Sequence, residues 1–339
     1  NVQLLKTNFF NDQNLIERIY HKFLILIFGK SKKYDDFFLK NKIEILSHSN
    51  ALSNSLFLGY RSNIKSLPFL ADLQYLHYPQ NFSFKNIFLR KINIIMCALH
   101  STKIILSSND VKRDLKKVSK LAYKKSVVSP FIFQAPKKNE IIKSSILRTK
   151  YNLPLKYFYL PNQYWIHKNH IVVLKALLHL KKKKKIQNIC IISTGSKEEH
   201  RHTNYFGDIK NFISKNNLQQ YYKYLGVVSF KEVLSLTYHS VAIIQPSKFE
   251  GRSSTIEQAK SIGKKTILSD INIHKEQNPL RGNYFPKNNY LQLSLLLFRI
   301  WKNFDKKSEE KYINYAYKQN KINFYKFYKN YLNIIKKLK

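Results

Sequence analysis

Acidic residues are scarce in this chain. Twenty Asp and Glu stand against 60 Lys and Arg, a formal net charge of +40 over 339 residues. Such an imbalance attracts anions: nucleic acid, an acidic membrane face or phosphorylated substrates. Arginine is scarce as well. Only nine of the basic residues are Arg, whereas proteins that read nucleic-acid sequence lean on the bidentate guanidinium. The joint richness in Lys, Ile, Asn and Tyr is what AT-rich coding favours, and coding bias is weighted above function as the source of the charge. No nucleic-acid-binding motif accompanies it, so no specific nucleic-acid partner is expected.

Cysteine is nearly absent. Cys97 and Cys190 sit inside the apolar runs IIMCAL and NICIIS, which suggests buried thiols in a reducing compartment. There is no Asp-x-Asp pair and no Cys/His cluster at ligand spacing. His167 and His170 are three apart but lack a suitably placed carboxylate. No metal and no cofactor are therefore expected. No signal peptide is visible, and no apolar run reaches transmembrane length. The expected location is cytoplasmic, at most peripheral on the inner face of the cell membrane. The chain opens on Asn1, directly on an amphipathic stretch, and reads as a fragment lacking its first strand and loop.

Apolar material is plentiful. Hydrophobic residues make up 44%, enough for two cores in a chain too long for one. From Tyr157 onward strands alternate with helices. YFYL (157–160), NICIIST (188–194), KYLG (223–226), VAIIQPS (241–247) and KTILSD (265–270) read as strands. Helical runs follow Asn169, lie near 206–216 and at 230–240, and fill 254–263, where Gly263 supplies the C-cap. The run Lys181–Lys185 closes the first of them, where cations suit the helix dipole. Near-continuous apolar strands separated by helices predict an α/β parallel sheet covered on both faces. The first half is less regular, with strands at 43–49, 66–73, 103–108 and 126–131 and a helix at 86–101. The Lys- and Asn-rich segment 136–150 marks the boundary. A basic helical tail rich in Tyr and Phe begins near Ser308.

One junction carries chemistry. Between strand VAIIQPS and the helix at Ser254 lies KFEGRSS. Ligands of parallel sheets bind beyond the carboxyl ends of the strands. The first N–H groups of a helix lack internal partners and favour an anion. Gly251 admits a close approach to the backbone, and Ser253, Ser254 and Thr255 add hydroxyl donors, so a diphosphate fits there. Glu250 and Glu257 are placed to accept from sugar hydroxyls. The plainer reading is a Ser/Thr helix cap beside a solvated Glu.

The chain resembles glycosyltransferase family 4 (group 1), whose members read roughly LG, an apolar strand, PS-x-(F/Y)-E-G, E-A, then a strand and a loop with another Glu. Here stand LG at 225–226, PSKFEG at 246–251, EQAKSIGKK at 257–265 and SDINIHKEQ at 269–277, together with the loop PNQYWIHKN. The first half agrees more loosely, through LPFLADLQYLHYPQNFS (67–83) and IILSSNDVKRDL (104–115). The resemblance implies the GT-B fold: two Rossmann-like domains facing a central cleft, with a C-terminal helix crossing back to the first. On that basis the acceptor domain is 1–145, the nucleotide-sugar donor domain 146–310, and the basic returning helix 311–339.

The resemblance also implies roles. Glu250 fits the Glu that contacts the donor sugar. The family's second Glu, which reads the ribose, falls on Gln258, with Glu257 one position earlier; Glu257 is favoured because a carboxylate accepts from both ribose hydroxyls. Lys168 fits the Lys that neutralises the diphosphate. The expected Arg is replaced by Gln163, in the same loop as Asn162. Trp165 and His167 are candidates to pack on the base, with loop anchoring the even alternative for Trp165. His77 fits a His facing the donor sugar, Tyr75 competes with it, and His48 is a weaker candidate. Glu276 is expected to reach the donor from a loop. The implied activity is retaining sugar transfer from a nucleotide-sugar co-substrate to a glycan or lipid-linked acceptor, in surface polysaccharide or lipopolysaccharide synthesis. Peripheral contact with an anionic membrane fits that acceptor. The alternatives are a degenerate, non-catalytic GT-B protein and a basic nucleic-acid-binding protein.

Overall fold

The structure is a computed structural model that describes residues 9, 12–51, 58–184, 188–199 and 204–338. The amphipathic opening at residues 1–8 and the last lysine of the 181–185 run lie outside the described residues. The chain divides into two compact units. One runs to Ser129 and takes in the chain end from Asn333; the other is Pro130–Leu332.

In the first unit, α1 (Leu15–Phe28) and α2 (Lys32–Lys40) precede a parallel sheet. Its strands are β1 (Ile45–Asn50), β2 (Lys65–Leu70), β3 (Ile104–Leu106) and β4 (Ser126–Val128), in spatial order β1-β2-β3-β4. Helices α3 (Gln74–His77), α4 (Phe84–His100), α5 (Asn109–Val118) and α6 (Lys120–Lys125) connect them. Serine hydroxyls start three of these helices: Ser83 Oγ accepts from the Asn86 N–H, Ser108 Oγ from the Val111 N–H and Ser119 Oγ from the Ala122 N–H, satisfying donors the helix itself cannot. Ile94, Cys97 and Ala98 of α4 share one core with Leu70, Ile104, Leu106 and Ile25 of α1.

The second unit begins with α7 (Ser144–Tyr151), inside the segment expected to be a linker. It continues through β5 (Phe158–Pro161), α8 (His170–Lys182), β6 (Ile191–Thr194), α9 (Tyr205–Lys215) and β7 (Tyr222–Tyr224). Then come α10 (Phe230–His239), β8 (Ile243–Gln245), α11 (Ser254–Ile262), β9 (Thr266–Ser269) and α12 (Asn272–Gln277). β10 (Gly282–Phe285), α13 (Tyr290–Lys302) and α14 (Lys306–Lys336) as far as Leu332 complete it. Its sheet runs β10-β9-β8-β5-β6-β7, with parallel pairing throughout. β6 and β9 are buried along their whole length, as strands covered on both faces must be.

Several elements had no counterpart in the sequence reading, β10 and α13 among them. β10, GNYF, is an edge strand that is half-buried until Phe285, so it shows no apolar run. α13 packs along α8. Expected strands were also too long: of 126–131 the strand is Ser126–Val128, and after the bond from the Ser129 N–H to Leu106 O comes Pro130, which has no N–H to donate. Gly263 caps α11 with φ +76°; a Cβ there would lie 2.5 Å from Tyr312 O of α14. Both cysteines are buried and unbridged. Among the described residues no helix is long and apolar enough to cross a membrane.

Candidate functional site

The topology of the second unit selects one place for a ligand. From β5 the chain steps outward to β6 and β7, then returns to the opposite side of β5 as β8 and moves on to β9 and β10. The order reverses between β5 and β8, and the crevice beyond their carboxyl ends is where ligands of such sheets sit. The loop after β5 is 162–169, and the loop after β8 is 246–253. They are stitched together. The Lys248 N–H donates to His167 O at 2.8 Å, and Asn169 Nδ2 donates to Pro246 O at 3.2 Å and Lys287 O at 2.8 Å. Gly195, just past β6, holds φ +139°, and a Cβ there would stand 2.3 Å from Asn162 O. The first loop lies against a position only glycine can fill.

Glu250 is the focus of the second loop. Its Oε1 accepts three hydrogen bonds: from Lys168 Nζ at 2.6 Å, Ser247 Oγ at 2.7 Å and Gln245 Nε2 at 2.8 Å. Asn162 Nδ2 donates to Gln245 Oε1 at 2.8 Å, which fixes the orientation of that amide. Burial pushes the Glu250 carboxyl up, but the Lys168 charge and hydrogen bond and the Ser247 hydroxyl outweigh it, leaving the group below the usual carboxylate range. It is therefore ionised at neutral pH and acts only as an acceptor. Oε2 makes no hydrogen bond among the described residues. One oxygen is clamped and the other is open. Behind it lies His274 of α12, fully buried, with Nδ1 2.9 Å from Ser269 O. Burial drives that imidazole down to about 4 against the pull of the Glu250 charge, so it is neutral.

The start of α11 completes the site. Ser253 caps it, accepting from the Ile256 N–H. The Ser253 N–H itself donates to Gln277 Oε1 at 3.0 Å, so Ser253 serves the fold. Thr255 Oγ1 reaches Pro161 O at 3.4 Å, which sets the helix start over the end of β5. Ser254 is exposed beside it. Gly251 is buried in the bend between Glu250 and this helix.

Glu257 and Gln258 differ sharply. Glu257 Oε1 takes Arg252 Nη2 at 2.7 Å, Gln277 Nε2 at 2.9 Å and Lys260 Nζ at 3.3 Å, and its side chain is 2% exposed. The side chain of Gln258 makes no hydrogen bond among the described residues. In the other loop Trp165 Nε1 donates to Glu198 O at 3.2 Å, a loop-anchoring contact, while Gln163 is exposed. Glu276 lies on α12 and not on a loop as expected; its neighbour Gln277 is the residue wired to Ser253 and Glu257.

In the first unit, His77 ends the short helix α3, again not a loop, and its Nε2 meets Asp114 Oδ2 at 2.5 Å. Tyr75 packs into the core; burial pushes its phenol up to about 12, and its hydroxyl has no hydrogen-bond partner among the described residues. His48 holds φ +61° and stacks on Phe69.

The sequence reading missed Gln245, Asn169, Arg252, His274 and Gln277. A signal existed for Gln245, a lone amide closing an otherwise apolar strand. The others are recognisable only once α11, α12 and the two loops are side by side.

No protein-family model and no curated protein matches the chain by sequence. Solved structures do match in three dimensions. A glycosyltransferase from Rickettsia africae is 19% identical with a TM-score of 0.69, over 99% of this chain and 84% of that one. HepE from Anabaena, solved with UDP, is 14% identical with a TM-score of 0.64, over 81% and 73% of the two chains. Sucrose-phosphate synthase from Thermosynechococcus elongatus is 14% identical with a TM-score of 0.61, over 89% and 77%. The fold is GT-B, two parallel-sheet α/β domains.

Proposed function

We propose that the chain is a glycosyltransferase that moves a sugar from a nucleotide-sugar donor to a glycan or lipid-linked acceptor, with retention and without a metal. The observation that carries this is Glu250, an ionised carboxylate clamped on one oxygen and open on the other, at the switch point of a GT-B donor-type sheet. HepE was solved with UDP and with UDP and glucose, which supports the same class of donor here.

In this reading the open oxygen of Glu250 holds the donor sugar. Ser254 offers its N–H and hydroxyl, and Thr255 its N–H, with the bend at Gly251, as donors to the diphosphate. Lys168 already neutralises Glu250 and is assigned to the diphosphate, where negative charge grows as the bond to the leaving nucleotide breaks. The ribose contact moves from Glu257, whose carboxylate is committed to Arg252, to Gln258. Asn162 works through Gln245, and Trp165 holds its loop in place. His77, oriented by Asp114, is assigned to the donor sugar from the first unit. The second unit binds donor and the first binds acceptor, in surface polysaccharide or lipopolysaccharide synthesis, with peripheral contact to an anionic membrane.

A thermal-shift panel of nucleotide sugars tests the donor class, since a ligand that binds only the folded state raises its stability. Anomeric analysis of the product then tests retention. No stabilisation by any nucleotide sugar would remove the proposal. One observation favours the second reading, a non-catalytic GT-B protein: the expected phosphate cation Lys168 is already paired, and Gln163 brings no charge. Nucleotide binding with no turnover across acceptors would select it.

A further inference from the structure

One residue of β8 breaks the pattern of its sheet. Val241, Ala242, Ile243 and Ile244 are apolar and buried, as a strand covered on both faces requires. The next residue is Gln245, equally buried. A buried amide is costly unless its polar atoms find partners, and an apolar residue there would need none. Gln245 has a partner for every hydrogen. Its Oε1 accepts from Asn162 Nδ2 at 2.8 Å. Its Nε2 carries two hydrogens and gives one to Glu250 Oε1 at 2.8 Å and one to Ser247 Oγ at 3.2 Å. The amide has one possible orientation. A carboxylate only accepts, so the atom facing Glu250 must be Nε2; turned over, the amide would set oxygen against oxygen.

The amide also stands where two strands part. β5 meets β8 at one register, Tyr159 with Ile243. Past it the first chain turns back on itself, the Asn162 N–H donating to Leu160 O. The side chains of Asn162 and Gln245 bridge the crevice that opens there. Asn162 makes no bond to Glu250, and Gln245 is fully enclosed. Gln245 thus acts on a ligand only through Glu250, and it ties that carboxylate to the loop after β5.

We propose that Gln245 is a positioning residue: anchored by Asn162, it holds the Glu250 carboxylate so that the open oxygen meets the donor sugar in one fixed orientation. This deepens the donor contact proposed for Glu250 and rests on it. The test uses calorimetry with two probes, the nucleotide sugar that most stabilises the wild-type chain and its nucleoside diphosphate. Gln245→Met keeps the length and removes both donors; nucleotide-sugar affinity is expected to fall about tenfold at every pH, with nucleoside-diphosphate affinity within about twofold of wild type. Gln245→Glu sets a second carboxyl against Glu250. Two carboxyls so close cannot both ionise, so the pair keeps one proton well above the ordinary Glu range. Protonated, the introduced group does what the amide did: its O–H donates to Glu250 and its carbonyl accepts from Asn162. Nucleotide-sugar affinity of this variant is therefore expected to be low at about pH 8 and to return towards wild type by about pH 5.5. The other charged or titratable groups facing Glu250 are Lys168, His167 and His274; the wild-type chain carries all three and sets the baseline. Ile244→Val, a core change one residue away, should lower Tm and leave both affinities unchanged. Wild-type affinity in Gln245→Met, or Gln245→Glu without recovery in acid, overturns the proposal. Equal loss of both probes also overturns it, because the residue would then only hold up the loop. Gln245→Glu is compared with itself at two pH values, so a loss of fold in Gln245→Met leaves the decision intact. A wild-type chain that binds no nucleotide sugar removes the donor reading itself, and this proposal with it.

Discussion

Three donors converge on one oxygen of Glu250, and this shapes what substitutions there will do. Glu250→Gln preserves size but removes the charge that Lys168 faces; turnover of the best nucleotide sugar is expected to fall by about 10²-fold or more. The Tm should change by only a few degrees, and unchanged turnover would take Glu250 out of the site. Glu257 behaves differently. Truncating it leaves Arg252, whose side chain is 6% exposed, without its carboxylate. Glu257→Ala is expected to cost ~3–5 kcal/mol of unfolding free energy in urea titrations. Gln258→Ala should leave that free energy nearly unchanged and weaken nucleotide binding by calorimetry. The reverse pattern would return the ribose to Glu257.

At the scale of elements, two loops and a helix start make the site, and their support is testable apart from their chemistry. Gly195→Ala forces a Cβ against Asn162 O from a backbone at φ +139°. The loop after β5 must move, so nucleotide affinity should fall even in the folded fraction; wild-type affinity would show that the loop's position is immaterial. The cap of α10 gives a pH test. Glu232 accepts from Lys150, Tyr151 and Ser229, and the Lys150 bond, offset by burial, holds it at about 2. A carboxyl depressed in the folded state contributes stability above its unfolded value and loses it as pH falls towards the folded one. Stability should therefore drop between the ordinary Glu range and about 2, less steeply in Glu232→Gln, as followed by chemical denaturation. These elements were legible to different degrees. The strands of the second unit were visible because burial on both faces writes an unbroken apolar run. β10 was not, since an edge strand writes none. Glu250 and Lys168 were visible through their setting. The commitment of Glu257 was not, because Arg252 and Gln277 reach it only after α11 and α12 pack.

Across the whole molecule, a charge of +40 predicts retention on heparin with elution that shifts steeply with salt and shows no preference among nucleic-acid sequences. Sequence-selective binding would revive the nucleic-acid reading. The switch point has a consequence of another kind. Lys168 and Glu250 are 82 residues apart, and Asn162 and Gln245 are 83 apart. Between them the chain must lay down β6, β7 and three helices before β8 can return to β5. No second unit folded only as far as β7 holds both halves of the clamp. Ligand binding thus reports the return of β8 to β5: during refolding, recovery of nucleotide affinity should trail the first recovery of helical signal, because the sheet must close on its own beginning before the clamp exists.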